Sequence, residues 1–90
     1  MTLQLVRVKS FIKDSDKAKL SDKHFTKFIE YVYLLSQERT LPAEALDHAL
    51  TGEWADYREF HISGDVLVIY RIEDDSIKLV RIGSHSQLFR

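Results

Sequence analysis

Residues 57–83 read YREFHISGDVLVIYRIEDDSIKLVRIG, and this stretch decides the fold. Its apolar pattern has a period of two, and 57–62, 66–72 and 77–83 read as three strands. Ser63-Gly64-Asp65 and Glu73-Asp74-Asp75-Ser76 lie between them. Glycine accepts positive φ, and short Asp and Ser side chains bond their own backbone, so both links have turn chemistry. Links this short join antiparallel neighbours, which predicts a meander.

Working outward, residues 41–52 form a connector with a helical turn expected around 42–46. Before it, Phe25, Phe28, Ile29, Val32 and Leu35 recur at helical spacing and predict an amphipathic helix with a continuous apolar stripe. Ser21 is its expected N-cap, with Leu20 stapled onto Phe25. Pro42 disfavours helical geometry at Leu41, so the helix ends before that point. Residues 11–20 carry a weaker helical signal, and 3–8 alternate as a short strand. After the meander, 85–89 reads as a short tail. The order strand, helix, helix, three strands predicts an α+β fold of two layers, with the C-terminal meander packed on two helices.

Ninety residues make one domain, 1–90, large enough for one sheet under one helix layer. Cysteine is absent, which removes disulfides and thiolate metal sites. No apolar run reaches the roughly 20 residues of a membrane span, and residues 1–9 lack a signal-peptide core; a cytoplasmic protein with no membrane partner is expected. The net charge of −1 hides a basic excess of three in residues 1–41 and an acidic excess of four in 42–90. Composition alone therefore makes no electrostatic case for nucleic acid. That case must come from a site, with the basic first half as a docking surface.

Strand alternation puts Arg58, Phe60 and Ile62 on one face and Tyr57, Glu59 and His61 on the other. The apolar set should meet the helices, leaving His61 on the open face. Arg81 has no side assigned by pattern. Of the four histidines, His24 lies among polar neighbours on the long helix, whereas His48, His61 and His85 belong to segments a meander brings together. Imidazole accepts and donates protons near neutrality. RNA cleavage through its own 2′-hydroxyl needs a base for that proton, an acid for the leaving 5′ oxygen and a cation for the phosphorane-like charge. His61 or His48 as base, His85 as acid and Arg81 as cation would meet those needs, with Asp65 orienting a histidine. Tyr57, Tyr70 and Phe89 offer faces for an unstacked base.

Blander readings stand beside these. Judged without homology, each histidine reads more readily as a surface or satisfied structural group, and Arg81 as one half of a salt bridge to an Asp or Glu on the next strand. Trp54 and Phe89 read as packing residues, and the lysines at 13, 17, 19, 23 and 27 as a solvated helix face. A metal site of His48, His61, His85 and Asp65 is conceivable, although no His-x-x-x-His or His-Glu-x-x-His spacing is present.

The second half also resembles a known family. Asp47-His48-Ala49-Leu50, Gly52, Trp54, Tyr57-Arg58-Glu59, His61, Asp65, Leu67-Val68-Ile69-Tyr70, Arg81-Ile82-Gly83-Ser84-His85-Ser86 and Leu88-Phe89 are similar to the YafQ-type toxins of the RelE/ParE superfamily. The resemblance spans residues 47–89; the first half matches only in element order. It implies a RelE-like fold and a ribosome-dependent, metal-independent mRNA interferase that needs no cofactor and cuts messenger in the decoding site. It also implies a cognate antitoxin that wraps the toxin and takes it to operator DNA. Carried over by position, the catalytic set is His48, His61, Asp65 and His85, with Phe89 supporting cleavage and Arg81 contacting phosphate. Ala49 stands where relatives often have proline, and Ser63-Gly64 replaces a more acidic or proline-containing turn. Lys78 is the only lysine after residue 27, so lysine catalysis is excluded for the second half. Ribosome docking falls to Lys17, Lys19, Lys23 and Lys27. Two rivals follow from the same resemblance: a ParE-like gyrase inhibitor, whose branch generally lacks these histidines, and a catalytically silent antitoxin-binding co-repressor.

Overall fold

Both turns close antiparallel hairpins in the computed structural model of the chain, which describes residues 2–89. Met1 and Arg90, the ends of the expected domain, lie outside the described residues. Strand β3 (Arg58–His61) pairs with β4 (Val66–Glu73), setting Phe60 opposite Val68, and β4 pairs with β5 (Ser76–Ser84), setting Ile72 opposite Ile77. A bulge at Ile69/Tyr70 interrupts the second ladder, where Ile69 faces Arg81 and Tyr70 faces Leu79. Strand β1 (Gln4–Arg7) joins β5 in parallel, and a further strand, β2 (His48–Ala49), joins β3. The sheet thus has five strands in the order β1-β5-β4-β3-β2. Period-two reading missed β2 because two residues are too few to alternate.

Helices α1 (Lys9–Ala18) and α2 (Asp22–Ser36) cover one face. Ser21 is the N-cap of α2, its hydroxyl accepting from the His24 amide at 3.2 Å. The helix ends at Ser36, and a 3₁₀ turn follows at Ala43–Ala45. The expected stripe is corrected in one respect. Val32 and Leu35 are buried, but Phe25 and Ile29 are 52% and 48% exposed. The helix is rolled so that Tyr31 points inward: its ring meets Phe60 edge-on at 5.7 Å and its hydroxyl reaches Glu44 at 3.4 Å. The main core joins Phe11, Tyr31, Val32, Leu35, Phe60, Val68, Tyr70, Ile77 and Leu79.

The sheet is covered in part on its second face as well. Residues 85–89, expected as a tail, contain a helical turn, α3 (His85–Leu88). Ser84 caps it through a reciprocal pair of bonds with Gln87, the capping box that satisfies two exposed amides at once. Gly83 makes room for this: a Cβ there would stand 2.9 Å from Gln87 Oε1. Leu88 packs on Leu67 and Ile69, with Leu50, Trp54, Tyr57, Val80 and Phe89 around them.

Beyond the end of β1, helix α1 seals the edge of β5. Ser10 Oγ donates to the Val80 carbonyl at 2.7 Å, and Asp14 Oδ2 accepts from the Ile82 amide at 3.1 Å. Backbone groups without a strand partner are thereby satisfied. Among the described residues, no helix is long and apolar enough to cross a membrane.

Candidate active site

With Phe60 and Ile62 committed to the core, alternation sends Glu59 and His61 to the opposite face of β3. Strand β2 sets His48 directly across from Glu59, and the His48 and His61 rings lie near-parallel with centroids 6.5 Å apart. Helix α3 supplies the facing wall. His85 and Phe89 are one helical turn apart and in contact, with ring centroids at 4.7 Å. Trp54, from the 3₁₀ turn Gly52–Trp54, meets Phe89 edge-on at 6.0 Å. The result is an open groove of about 510 Å³ lined by His48, Leu50, Thr51, Trp54, Glu59, His61, His85 and Phe89.

Glu59 organises the floor of this groove. Only 5% of its side chain is exposed, and its Oε2 accepts from His61 Nε2 at 2.8 Å. The same oxygen stands 3.8 Å from His48 Nε2. His48 Nδ1 lies 2.6 Å from the Leu46 carbonyl, which can only accept, so the Nδ1 proton is fixed by its partner. In the neutral ring this leaves Nε2 bare and basic. For neutral His61 the reverse holds: Nε2 carries the proton toward Glu59, and Nδ1 is bare. The two rings therefore present different nitrogens to a substrate.

The other expected residues lie elsewhere. Asp65 is exposed at the β3–β4 hairpin tip, next to Val66, which pairs with Ser84; it does not line the groove, and Glu59 holds the orienting position beside His61. Arg81 turns to α1, where Asp14 binds it side-on through Nε at 2.6 Å and Nη2 at 3.2 Å. That hydrogen bond and charge raise the Arg81 pKa above its ordinary value. Arg81 is thus held in a salt bridge, but its partner lies on helix α1 and not on the next strand. Tyr57 flanks the groove, packed edge-on against Trp54 at 5.2 Å with Arg71 over its ring at 5.7 Å.

Tyr70 requires a correction. It is 1% exposed within the helix-side core, so its ring has no face for a base. Its hydroxyl donates to Asp47 Oδ1 at 2.5 Å and accepts from Arg58 Nε at 3.2 Å. Lys17, Lys19 and Lys23 are exposed, while Lys27 pairs with Glu44 at 3.6 Å. All four belong to the helix layer, across the sheet from the histidines. Sequence reading missed Glu59, Asp47 and Asp14. Glu59 had a signal, since it stands two residues before His61 on the same strand face; the partners of Asp47 and Asp14 are distant in sequence.

Among the described residues, no three His, Cys, Asp or Glu are placed to hold a metal ion together. Asp65 and His85 do not join His48 and His61 in the arrangement such a centre would need.

Comparison with known proteins gives three findings. Residues 3–90 match the family model described as the bacterial toxin of a type II toxin–antitoxin system, YafQ. The mRNA interferase toxin YafQ of Escherichia coli K12 is 35% identical over 81 residues, covering 88% of this chain and 87% of that protein. Among solved structures, a copper-bound variant of a toxin from Helicobacter pylori superposes with a TM-score of 0.86 at 40% identity, covering 97% of this chain and 99% of the other. The E. coli DinJ–YafQ toxin–antitoxin complex gives 0.85 at 30% identity, with full coverage of both chains.

Proposed function

The chain belongs to the YafQ family of bacterial type II toxins, and from that premise we propose that it is an endoribonuclease that cleaves mRNA on the ribosome by histidine acid–base chemistry without a metal. The observation that carries the reading is the convergence of His48, His61 and His85, from three separate elements, on one groove walled by Trp54 and Phe89. One such histidine is commonplace; three facing one opening meet the needs of 2′-hydroxyl attack.

In this mechanism His48 is the base. Its Nδ1 is engaged by Leu46, so bare Nε2 takes the 2′-hydroxyl proton. The 2′ oxygen then bonds to phosphorus, the bond from phosphorus to the 5′ oxygen breaks, and a 2′,3′-cyclic phosphate remains. His85, on the opposite wall, gives the leaving oxygen its proton. His61, in its protonated form and held by Glu59, stabilises the charge that builds on the phosphorane. Each proton-transfer group contributes about 10²–10⁴ in rate. Phe89 and Trp54 stack or wedge the bases on either side, and Tyr57 supports Trp54 from behind. Asp65, at the β3–β4 hairpin tip outside the groove, acts on substrate that extends beyond the histidines. Arg81 uses Nε and Nη2 on Asp14, and its remaining Nη1 is the group offered to a backbone phosphate. The lysines of α1 and α2 dock on ribosomal RNA, and a cognate antitoxin holds the protein silent and links it to operator DNA.

The test is primer extension on messenger in a reconstituted translation system, with purified protein, with and without EDTA and with magnesium kept sufficient for ribosomes. Discrete cuts that require ribosomes and survive the chelator are expected. Cuts abolished by EDTA would replace this mechanism with a metal-dependent one. No cuts despite growth arrest would overturn the ribonuclease reading in favour of a gyrase-directed toxin. Neither cleavage nor arrest would leave a silent antitoxin-binding partner.

A further inference from the structure

We propose that Asp47 is the positioning residue for His48, acting from the opposite face of the sheet. The proposal uses the ribonuclease reading for its activity readout alone; its structural readout stands independently.

The histidine sits on a weak foundation. Strand β2 is His48–Ala49, an edge strand with a two-residue ladder to β3. The turn before it passes through Leu46 with φ of 51°, a left-handed conformation disfavoured for any residue with a Cβ. Leu46 is 59% exposed, so its side chain does not anchor the turn. Its carbonyl is nevertheless held 2.6 Å from His48 Nδ1. The Leu46 amide bonds the Ala43 carbonyl at 3.1 Å, which closes the turn on its own side and leaves the junction to His48 for another group to fix.

Asp47 is the residue between them, and alternation turns its side chain away from the histidine groove. On the helix side Asp47 Oδ1 accepts from the Tyr70 hydroxyl at 2.5 Å and from Arg58 Nε at 3.3 Å. Arg58 and Tyr70 face one another across β3 and β4 and are themselves joined at 3.2 Å. The three side chains form a closed triangle that ties the edge of the sheet to a core tyrosine. Tyr70 is 1% exposed, so this anchor does not move with the loop. Two peptide planes meet at the Asp47 Cα: one carries the Leu46 carbonyl, the other leads to His48. Fixing Asp47 fixes both partners of the hydrogen bond that sets the His48 tautomer.

The experiment is imidazole ¹⁵N NMR on the purified protein together with cleavage kinetics. In the wild type His48 is expected as the single Nδ1–H tautomer. Asp47→Ala should give mixed tautomers and faster exchange of the Nδ1 proton, with the His61 signals unchanged because Glu59 holds that ring. Its kcat should fall about 10- to 100-fold with KM little altered, the signature of a misplaced group. Asp47→Asn, whose amide oxygen still accepts from the phenol, should restore most of the loss. Tyr70→Phe removes the anchor's donor without orphaning a buried proton, and should shift His48 in the same direction; it decides the matter should Asp47→Ala fail to fold. Unaltered His48 tautomer signals in a folded Asp47→Ala or Tyr70→Phe protein would overturn the proposal, whatever cleavage does. If the wild type cleaves no RNA, the ribonuclease reading falls while the NMR comparison still decides the role of Asp47.

Discussion

On β3 the carboxylate of Glu59 accepts a 2.8 Å hydrogen bond from His61 Nε2, and almost no water reaches it. Deleting the donor therefore does more than remove a group proposed to act on substrate. His61→Ala leaves a buried carboxylate with its hydrogen-bond donor gone and only His48 Nε2 nearby, at 3.8 Å. It should cost about 1–3 kcal/mol of stability in urea unfolding, besides lowering cleavage by about 10²–10³ through the lost charge stabilisation. His85→Ala should lower cleavage by about 10²–10⁴ and leave the unfolding midpoint in place, since His85 is exposed. Equal stability of the two variants would contradict this account of Glu59.

Asp14 serves two masters, the Arg81 guanidinium and the Ile82 amide. Asp14→Ala orphans both, and a loss of about 1.5–3 kcal/mol is expected. Arg81→Ala should cost less, because Asp14 keeps its bond to Ile82. Arg81→Lys should not recover the difference, since an ammonium cannot reproduce the side-on pair of bonds. Denaturant titration of the three variants checks the order.

Gly83 lies beneath the side chain that closes the α3 cap. A methyl group there meets Gln87 Oε1 at 2.9 Å, and the flexible amide will yield first. Gly83→Ala should release the capping box, fray α3 and loosen His85 and Phe89 together. Amide exchange in 85–89 should quicken, with cleavage reduced by about tenfold or more, while the core melts at nearly the same temperature.

Burial, and next the hydrogen bond to Asp47, raise the Tyr70 phenol above its ordinary value of 10.0. Below pH 10 folded and unfolded chains both keep this proton, and its contribution to stability is complete. Above that pH the unfolded chain loses the proton first, so stability falls as pH rises toward the folded pKa. Tyr70→Phe should therefore flatten the alkaline limb of the stability profile without changing its acid limb. Tyr31, raised by burial and by Glu44, will leave part of the slope in place.

Lys17, Lys19 and Lys23 are solvent-exposed on the helix side. Reversing them to Glu should weaken sedimentation with ribosomes and flatten its salt dependence, by about one unit of slope for each phosphate no longer neutralised. Lys27→Glu would in addition repel Glu44, its present partner, and should lower stability as well. Unchanged sedimentation of the triple variant would reject docking through this face.

The meander is legible because its strands are long enough for a period-two pattern and its turns carry Gly, Asp and Ser. The α2 cap is legible because Ser21 acts on its own next turn. What escapes is non-local. Nothing near Asp14 announces Arg81, and nothing near Asp47 announces Tyr70, because the sheet order that joins them is settled by long-range pairing. The side taken by Tyr70 is hidden for the same reason: within the continuous apolar run of β4, alternation does not say which face an aromatic takes. For the histidines, strand parity puts His61 on the open face. Only α3, which reads as a tail, keeps the geometry of His85 out of reach.

The seal that α1 places along β5 has a consequence for how the chain meets other chains. An open strand edge invites pairing with another chain, and proteins that expose long ones aggregate. Here Ser10 and Asp14 occupy the groups that β1 leaves uncovered, and the sheet ends in strands of four and two residues. Such short rims template little. The sheet thus offers another chain little free edge on which to pair.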